Sequence, residues 1–418
     1  MNILLLNHYA GSALHGMEFR PFYLAREWVR AGHKVQIVAA SFSHIRANQP
    51  QFGGAVLDEV IDGIAYHWYA TPAYGGNGVG RVRNMLSFLW ALWCDARRLA
   101  REFKPDVVIA SSTYPMDIWP ARRIVRFSKA KLVFEVHDLW PLSPMELGGM
   151  SKWHPFIMWV QLAEDHAYRH ADKVISMLPK ASGYMQTRGM AEHKFAYIPN
   201  GVDEGEWAQP SPLPPEVQAR LDVLRTNGLP LVGYAGTYGL ANALDVLLDA
   251  AHQLKGRAHI VLVGTGPERD RLLTRVAQEG LSNVELLPSV SKQSIPTFLA
   301  TLDIAYIGFL PQPLYRFGIS PNKLMDYMMA GRPVVIAIDV ENSPVDEARC
   351  GITVSPGDSV AVAQAVLRLT SLTAKERAAM GQSGREFILK HQTYRTLAMR
   401  FLDEIGKIPT DHYAKRNR

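Results

Sequence analysis

The stretch FGISPNKLMDYMMAGRPVV, residues 317–335, holds residue types whose spacing suits chemistry on an anion. Ser320 or Asn322 is placed to cap a helix, with Pro321 at a tolerated first-turn position. The helix reads KLMDYMMA, stops at Gly331, and Pro333 opens a strand. A helix N-terminus presents unpaired N–H groups and the positive end of the helix dipole, which suits phosphate. Lys323 adds a cation to that first turn, where it opposes the dipole, so its placement points to an anionic ligand. Asp326 stands one turn further on, suited to accept hydrogen bonds from ribose hydroxyls. Taken alone, the segment fits an ordinary capped helix with a surface lysine equally well.

Three further places carry candidate groups. Gly264 and Gly266, in VGTGP, follow a strand and precede the helix ERDRLLTRVAQ, where glycine lets backbone approach a nucleotide closely. The third glycine and distant acid of a dinucleotide fingerprint are missing, so NAD is not inferred. His137, in EVHDLWP (135–141), ends a strand at its carboxyl edge, where α/β proteins place their active groups. A lone histidine is more often structural, and Asp138 is expected to orient local backbone. Gly11, in the loop NHYAGS (7–12) after the first strand, gives backbone access, while Glu18 and Arg20 fit solvent-exposed helix starters equally well. With no Asp-x-Asp strand end and no His/Cys cluster, neither a metal nor a cofactor is expected.

The elements around these groups alternate. NILLLN (2–7), KVQIVAAS (34–41), DVVIAS (106–111), KLVFEVHD (131–138) and DKVISM (172–177) read as buried strands separated by helical stretches. Four prolines in AQPSPLPPEV (208–217) interrupt the pattern. It restarts with LPLVGYAG (229–236), AHIVLVGTG (258–266), NVELLPSV (283–290), DIAYIGF (303–309), RPVVIAID (332–339) and GITVSP (351–356). Near-continuous apolar strands alternating with helices predict an α/β fold of two Rossmann-like, doubly wound parallel sheets. The expected division is 1–205, 206–385 and a C-terminal helical segment 386–418 that packs back on the N-terminal domain, with one helix over about 382–408. Ligands of open sheets sit outside the carboxyl ends of the strands, so a central cleft faced by both domains is the expected site.

At 418 residues, two domains are the default. Cys94 and Cys350 give neither a disulfide framework nor a metal pattern. No signal peptide is read at the N-terminus, and no apolar run approaches the ~20 residues of a membrane span. The net charge of +6 sits wholly in residues 1–200, which hold 22 basic and 16 acidic side chains. That asymmetry suggests a polyanionic surface or substrate on the first half. Segment 81–101 joins Leu86, Phe88, Leu89, Trp90, Leu92 and Trp93 to five arginines, the composition of an interfacial helix. A second apolar cluster is Trp153, Phe156, Ile157, Met158 and Trp159. Either could be an ordinary buried helix. Nucleic-acid binding is not expected, because no recognised module accompanies the basic residues.

The 317–335 stretch resembles the nucleotide-sugar motif of the retaining family 4 glycosyltransferases of GT-B fold. It is most similar to the O-antigen and capsule branch that includes the L-fucosamine transferase-like enzymes. In that family two acids are separated by seven residues and followed by Gly-x-Pro-Val. Asp326 matches the second acid and Gly331-Arg332-Pro333-Val334 the ending, while the first acid falls on Gly318. IPNGVD (198–203) resembles the interdomain signature, and the likeness covers roughly residues 1–400. It implies transfer of a sugar from a nucleotide-sugar, by preference UDP-linked, to a glycan or polyprenyl-diphosphate-linked acceptor. It also implies a front-face reaction in which the leaving diphosphate helps take the acceptor proton. His137 would contact the donor sugar, with Lys323 assisting the leaving group. Gly236 and Thr237 occupy a loop in which relatives carry a basic residue, so the phosphate load falls on Lys323 and the Ser320–Asn322 helix start, with Arg316 as a second candidate. Gly264, Gly266 and Val290 would border the nucleobase, and Gly11 the donor phosphate or acceptor. The implied location is cytoplasmic, at the inner face of the plasma membrane. Non-hydrolysing sugar-nucleotide 2-epimerases share the architecture and form the rival reading. A non-catalytic sugar-nucleotide-binding subunit is a third.

Overall fold

The computed structural model describes residues 1–76, 78–341 and 343–409; residues 410–418 of the expected C-terminal segment lie outside them. The chain forms two compact units, one of residues 1–199 with the chain from Tyr394 onward, the other of Asn200–Thr393.

The first unit is built on an eight-stranded sheet. Its strands are β1 (Asn2–Leu6), β2 (Lys34–Ala40), β3 (Val56–Ile61), β4 (Ile64–Tyr69), β5 (Val107–Ala110), β6 (Lys131–Val136), β7 (Lys173–Ser176) and β8 (Phe195–Tyr197). Their order is β3-β4-β2-β1-β5-β6-β7-β8, and all neighbours are parallel except the β3–β4 hairpin. Its apolar strands are buried because helices cover both faces. On one face the helix Arg20–Arg30 packs against the helix Tyr394–Gly406. The Trp28 and Phe401 rings lie 5.1 Å apart, and the Trp28 indole donates to the Ala398 carbonyl at 3.1 Å.

The second unit has six parallel strands, β9 (Leu231–Ala235), β10 (His259–Val263), β11 (Val284–Leu287), β12 (Ile304–Gly308), β13 (Val334–Ala337) and β14 (Gly351–Val354). They run in the order β11-β10-β9-β12-β13-β14, with apolar cores on both faces. The direction of chain progression switches at β1/β5 in the first sheet and at β9/β12 in the second, and such switch points open crevices at the strands' carboxyl ends.

Three elements differ from the sequence expectation. The hairpin 56–69 and the short β8 extend the first sheet at its two edges. The expected helix over 382–408 is two helices, Ala374–His391 and Tyr394–Gly406. They part because Val202 bridges to Thr393 and donates its N–H to the Gln392 carbonyl at 2.9 Å.

Candidate active site

In the second unit the loops leaving β9 and β10 are packed directly on one another. Gly236 N–H donates to the Val263 carbonyl at 3.0 Å, and Tyr238 N–H to the Thr265 carbonyl at 2.8 Å. A Cβ on Gly264 would lie 1.9 Å from the Gly236 oxygen, and one on Gly266 2.5 Å from the Tyr238 oxygen. These glycines are therefore required by loop-on-loop packing, a different demand from the ligand approach expected of them. Tyr238 extends the knot to β11 by donating its hydroxyl to the Leu287 carbonyl at 3.3 Å.

The helix Asn322–Met329 is pinned to the end of β9 by Tyr327. That hydroxyl accepts from Ala235 N–H at 2.8 Å and donates to the Ala235 carbonyl at 3.1 Å. The helix start departs from the expected cap. Pro321 occupies the cap position, Asn322 is already helical, and no side chain caps the end. Ser320 faces Asn200 instead: its hydroxyl accepts from Asn200 N–H at 2.7 Å, and its carbonyl from the Asn200 amide at 2.8 Å. The IPNGVD segment thus fixes the loop that introduces the helix. The N-terminal N–H groups remain available to an anion.

Lys323 reaches back from this helix over the β9 loop. Its ammonium sits 4.9 Å from the Tyr234 ring centroid and donates to the Tyr234 hydroxyl at 3.0 Å and to the Asn242 side-chain oxygen. Tyr234 and Asn242 both donate to the Thr237 carbonyl, at 2.8 and 2.9 Å. Thr237 contributes backbone to this ring of contacts, and its side chain is exposed. A Cβ on Gly236 would come within 2.9 Å of the Lys323 chain, so this glycine makes room for the lysine. Burial pushes the ammonium down to about 8. Among the described residues no carboxylate pairs with it, and two partners leave one of its three N–H donors for a ligand. An uncapped helix start with a half-buried, acid-free ammonium beside it is a site prepared for an anion.

Asp326 projects one turn on. Burial pushes its carboxyl up to about 7, against the nearby Lys292 charge and a hydrogen bond from Trp207, while Glu206 adds to the rise. Lys292 and Glu206 pair at 2.9 Å. Val290, two residues before Lys292, packs half-buried on the core of this unit. Arg316 stacks 4.4 Å from the Phe317 ring centroid and donates to the Pro313 carbonyl at 2.6 Å, within its own turn. Gly318 has φ +91° and ψ −179°, a backbone region open essentially to glycine alone, which excludes the family's acid at this position without strain.

In the first unit the ends of β1, β5 and β6 meet. The Asn7 amide donates to the Ser111 carbonyl at 2.6 Å. Gly11 N–H donates to the Glu18 carbonyl at 2.8 Å, and a Cβ there would lie 1.8 Å from the Gly16 oxygen. His137 contacts the Ser111 hydroxyl at 3.0 Å and Glu135 at 3.3 Å, both through Nε2. Ser111 in turn donates to Glu135 at 2.6 Å. Arg20 is fully buried, not a solvent-exposed helix starter. It pairs with Glu135 at 2.9 Å and donates to the Pro199 and Ile198 carbonyls at 2.5 and 3.0 Å. Burial alone would raise Glu135, but the Arg20 charge and His137 outweigh it and hold the carboxyl at about 2. Asp138 accepts from Leu139 N–H at 2.9 Å and from Ser143 at 2.7 Å, orienting local backbone.

The structure thus gathers Gly236, Thr237, Gly264, Gly266, Pro321, Asn322 and Lys323 at one set of strand ends, with Ser320 and Asp326 on the segments flanking the helix start. Gly11 and His137 belong to the other unit. Tyr234, Asn242, Tyr238, Tyr327, Ser111 and Glu135 carry parts of the two sites without having been singled out. Glu135 had a signal, as a charged residue in the apolar strand KLVFEV two places before His137. Among the described residues no group of three His, Cys, Asp or Glu could hold a metal.

Two α/β units, each built on a largely parallel sheet, form the GT-B fold of glycosyltransferases. Residues 15–201 match the Glycosyl transferase 4-like domain and residues 229–371 the Glycosyl transferases group 1 domain, and the chain belongs to this glycosyltransferase family. It is 22% identical over 325 residues, 75% of this chain and 77% of the relative, to WcaI of Escherichia coli (strain K12), named as a colanic acid biosynthesis glycosyl transferase. The same fold occurs in sucrose-phosphate synthase from Thermosynechococcus elongatus, with TM-score 0.70, 16% identity, and coverage of 96% of this chain and 97% of that one. It occurs too in Anabaena HepE in complex with UDP and glucose, with TM-score 0.65, 17% identity, and coverage of 97% and 100%.

Proposed function

We propose that the protein transfers a sugar, with retention of configuration, from a UDP-sugar to a glycan or polyprenyl-diphosphate-linked glycan in bacterial surface polysaccharide synthesis. The observation that carries this reading is the Lys323 ammonium, half-buried and without an acidic partner among the described residues, beside an uncapped helix start. The relative named for colanic acid biosynthesis supports the polysaccharide context, and the UDP complex of HepE supports the nucleotide.

In this reading Lys323 and the N–H groups of Asn322 and Lys323 hold the donor diphosphate. The bond between the sugar's anomeric carbon and the diphosphate oxygen breaks. The acceptor hydroxyl bonds to that carbon on the same face, and its proton passes to the departing diphosphate. Catalysis is then positioning and stabilisation of growing negative charge. Asp326 receives the ribose hydroxyls, Gly264, Gly266 and Val290 border the base, Gly11 faces the donor phosphate or acceptor, and His137 contacts the donor sugar. The work takes place at the inner face of the plasma membrane.

The test is a thermal-shift screen of nucleotide diphosphates and nucleotide-sugars, followed by incubation of the best donor with membrane lipid acceptors. Stabilisation by UDP and acceptor-dependent release of UDP are expected. If no nucleoside diphosphate stabilises the protein, the reading fails. Turnover of the nucleotide-sugar without any acceptor would replace it with an isomerase.

A further inference from the structure

Four tryptophan and phenylalanine side chains are exposed among the described residues: Trp90, Trp93, Phe127 and Trp153. All four belong to one layer of neighbouring helices in the first unit, Val79–Phe103, Ile118–Ser128 and Pro155–His170 with its leading turn. The layer shares a buried cluster in which Met85 and Leu89 meet Tyr114, Val160 and Ala163. Its inner face is therefore satisfied, and the exposed aromatics are not core residues left over.

The helix Val79–Phe103 shows how the outer face is organised. Phe88, Leu89 and Leu92 point inward and are buried. Outward, every third or fourth residue forms one exposed stripe: Arg83, Leu86, Trp90, Trp93, Arg97, Arg101. Leu86 is 47% exposed and Trp90 69%. The stripe is about 27 Å long at 1.5 Å per residue. Its centre is apolar, its ends are basic, and it carries no acid. The helix's acids, Asp95 and Glu102, are paired with Arg98 off the stripe. The next helix continues the pattern. The Arg123 guanidinium lies 4.6 Å from the Trp93 ring centroid and 5.7 Å from that of Phe127, and Arg97 lies 6.0 Å from Phe127. A second anchor stands beside it, where Lys152 lies 5.2 Å from the Trp153 ring centroid and Trp153 is 73% exposed. There Trp153, Met158 and Leu162 border a groove of about 540 Å³.

We propose that this face seats the protein on an anionic lipid bilayer, with the tryptophans at headgroup depth and the arginines on lipid phosphates. Aromatic rings with flanking Arg and Lys are the chemistry of an interfacial helix, which lies in the membrane plane and does not cross it. No helix among the described residues is long and apolar enough to cross. A second copy of the chain fits the face poorly. Pairing two stripes antiparallel sets Arg83 against Arg101, and pairing them parallel sets each arginine against its counterpart, so either arrangement opposes like charges. A sheet of lipid phosphates opposes none of them. The inference deepens the membrane location of the proposed function, and because its test reads lipid binding alone, it can fail while sugar transfer stands.

The test is co-sedimentation of the full chain with vesicles of phosphatidylcholine, pure or mixed with phosphatidylglycerol. Binding to the mixed vesicles, weakened by salt, is expected. The variant W90S/W93S should lower partitioning roughly tenfold or more, because two large apolar side chains lose their burial. The variant R83E/R97E should lose the preference for anionic lipid, roughly fivefold for each arginine removed. Both sites are exposed, so melting temperature and stabilisation by UDP should match the wild type and show that the fold is intact. The proposal is overturned if the wild type ignores phosphatidylglycerol vesicles or if W90S/W93S binds them undiminished. A wild-type dimer that W90S/W93S converts to monomer would assign the face to a second copy.

Discussion

Replacing Lys323 by methionine keeps the aliphatic stem against Gly236 and Tyr234 while deleting the charge. The ammonium falls from 10.5 to about 8 through burial. Holding it charged in the empty site therefore costs on the order of 3 kcal/mol, at 1.36 kcal/mol per pH unit. Lys323→Met should leave stability without ligand within about 1 kcal/mol of wild type, because lost bonds to Tyr234 and Asn242 are offset by relief of that cost. With UDP the balance reverses. A charge-assisted bond to the diphosphate is worth about 1.5–3 kcal/mol, so UDP affinity should fall by roughly 10- to 150-fold. Uridine lacks the diphosphate and should bind wild type and variant alike. Calorimetric titration of both ligands separates these outcomes. The pH dependence follows the same group. The ammonium is the binding form and is lost as pH rises through about 8, so UDP affinity should decline above that pH by up to about tenfold per unit. Bound diphosphate favours the ammonium, so UDP binding near pH 9 should take up a proton. Equal losses for UDP and uridine, or a flat UDP profile between pH 7 and 9.5, would refute the phosphate role of Lys323.

Gly264→Ala forces a Cβ to 1.9 Å from a neighbouring carbonyl oxygen and should cost about 3 kcal/mol or more in urea unfolding, whereas an alanine at Gly280, where no heavy atom lies within 4 Å, meets only its positive φ. Glu135→Gln removes the charge that compensates buried Arg20 and should destabilise by about 3–5 kcal/mol, whereas removing both charges together as Arg20→Met/Glu135→Leu should recover much of that loss. Asp326→Ala should weaken UDP and uridine together; an unchanged uridine affinity would take Asp326 out of the ribose site. In the wild type, uridine binding should strengthen as pH rises through about 7, where the Asp326 carboxyl ionises and gains acceptor capacity, and Asp326→Asn should flatten that dependence.

Strands β1, β2, β5 to β7 and β9 to β14 were legible because each is an apolar run bounded by turn residues, as in NILLLN and KLVFEV, whereas β8, the three residues FAY, is too short to show one. The 56–69 hairpin was not read because VLDEVI and IAYHWY mix polar residues into an edge pair, although Asp62-Gly63 between them is a strong two-residue turn signal with both φ positive. The break before Tyr394 was hidden for another reason. It depends on Val202, which lies far away in sequence and bridges to Thr393. The site divides along the same line. Lys323 stands out locally, as a cation at a helix start. Its partners Tyr234 and Asn242 lie 89 and 81 residues away and carry no local mark. The glycines at 236, 264 and 266 were visible, but only the fold tells that two loops touch there.

The glycine at 318 has a consequence for descent. Its backbone angles belong to a region where a side chain costs about 1–3 kcal/mol. A lineage that held an acid here could lose it in one step and then let the Tyr315–Gly318 turn relax, the turn closing with Gly318 N–H on the Tyr315 carbonyl at 2.8 Å. Restoring the acid would then require rebuilding the turn as well as changing the codon. The glycine thus makes a one-way step of this position, because a side chain can return only together with a new backbone for the turn.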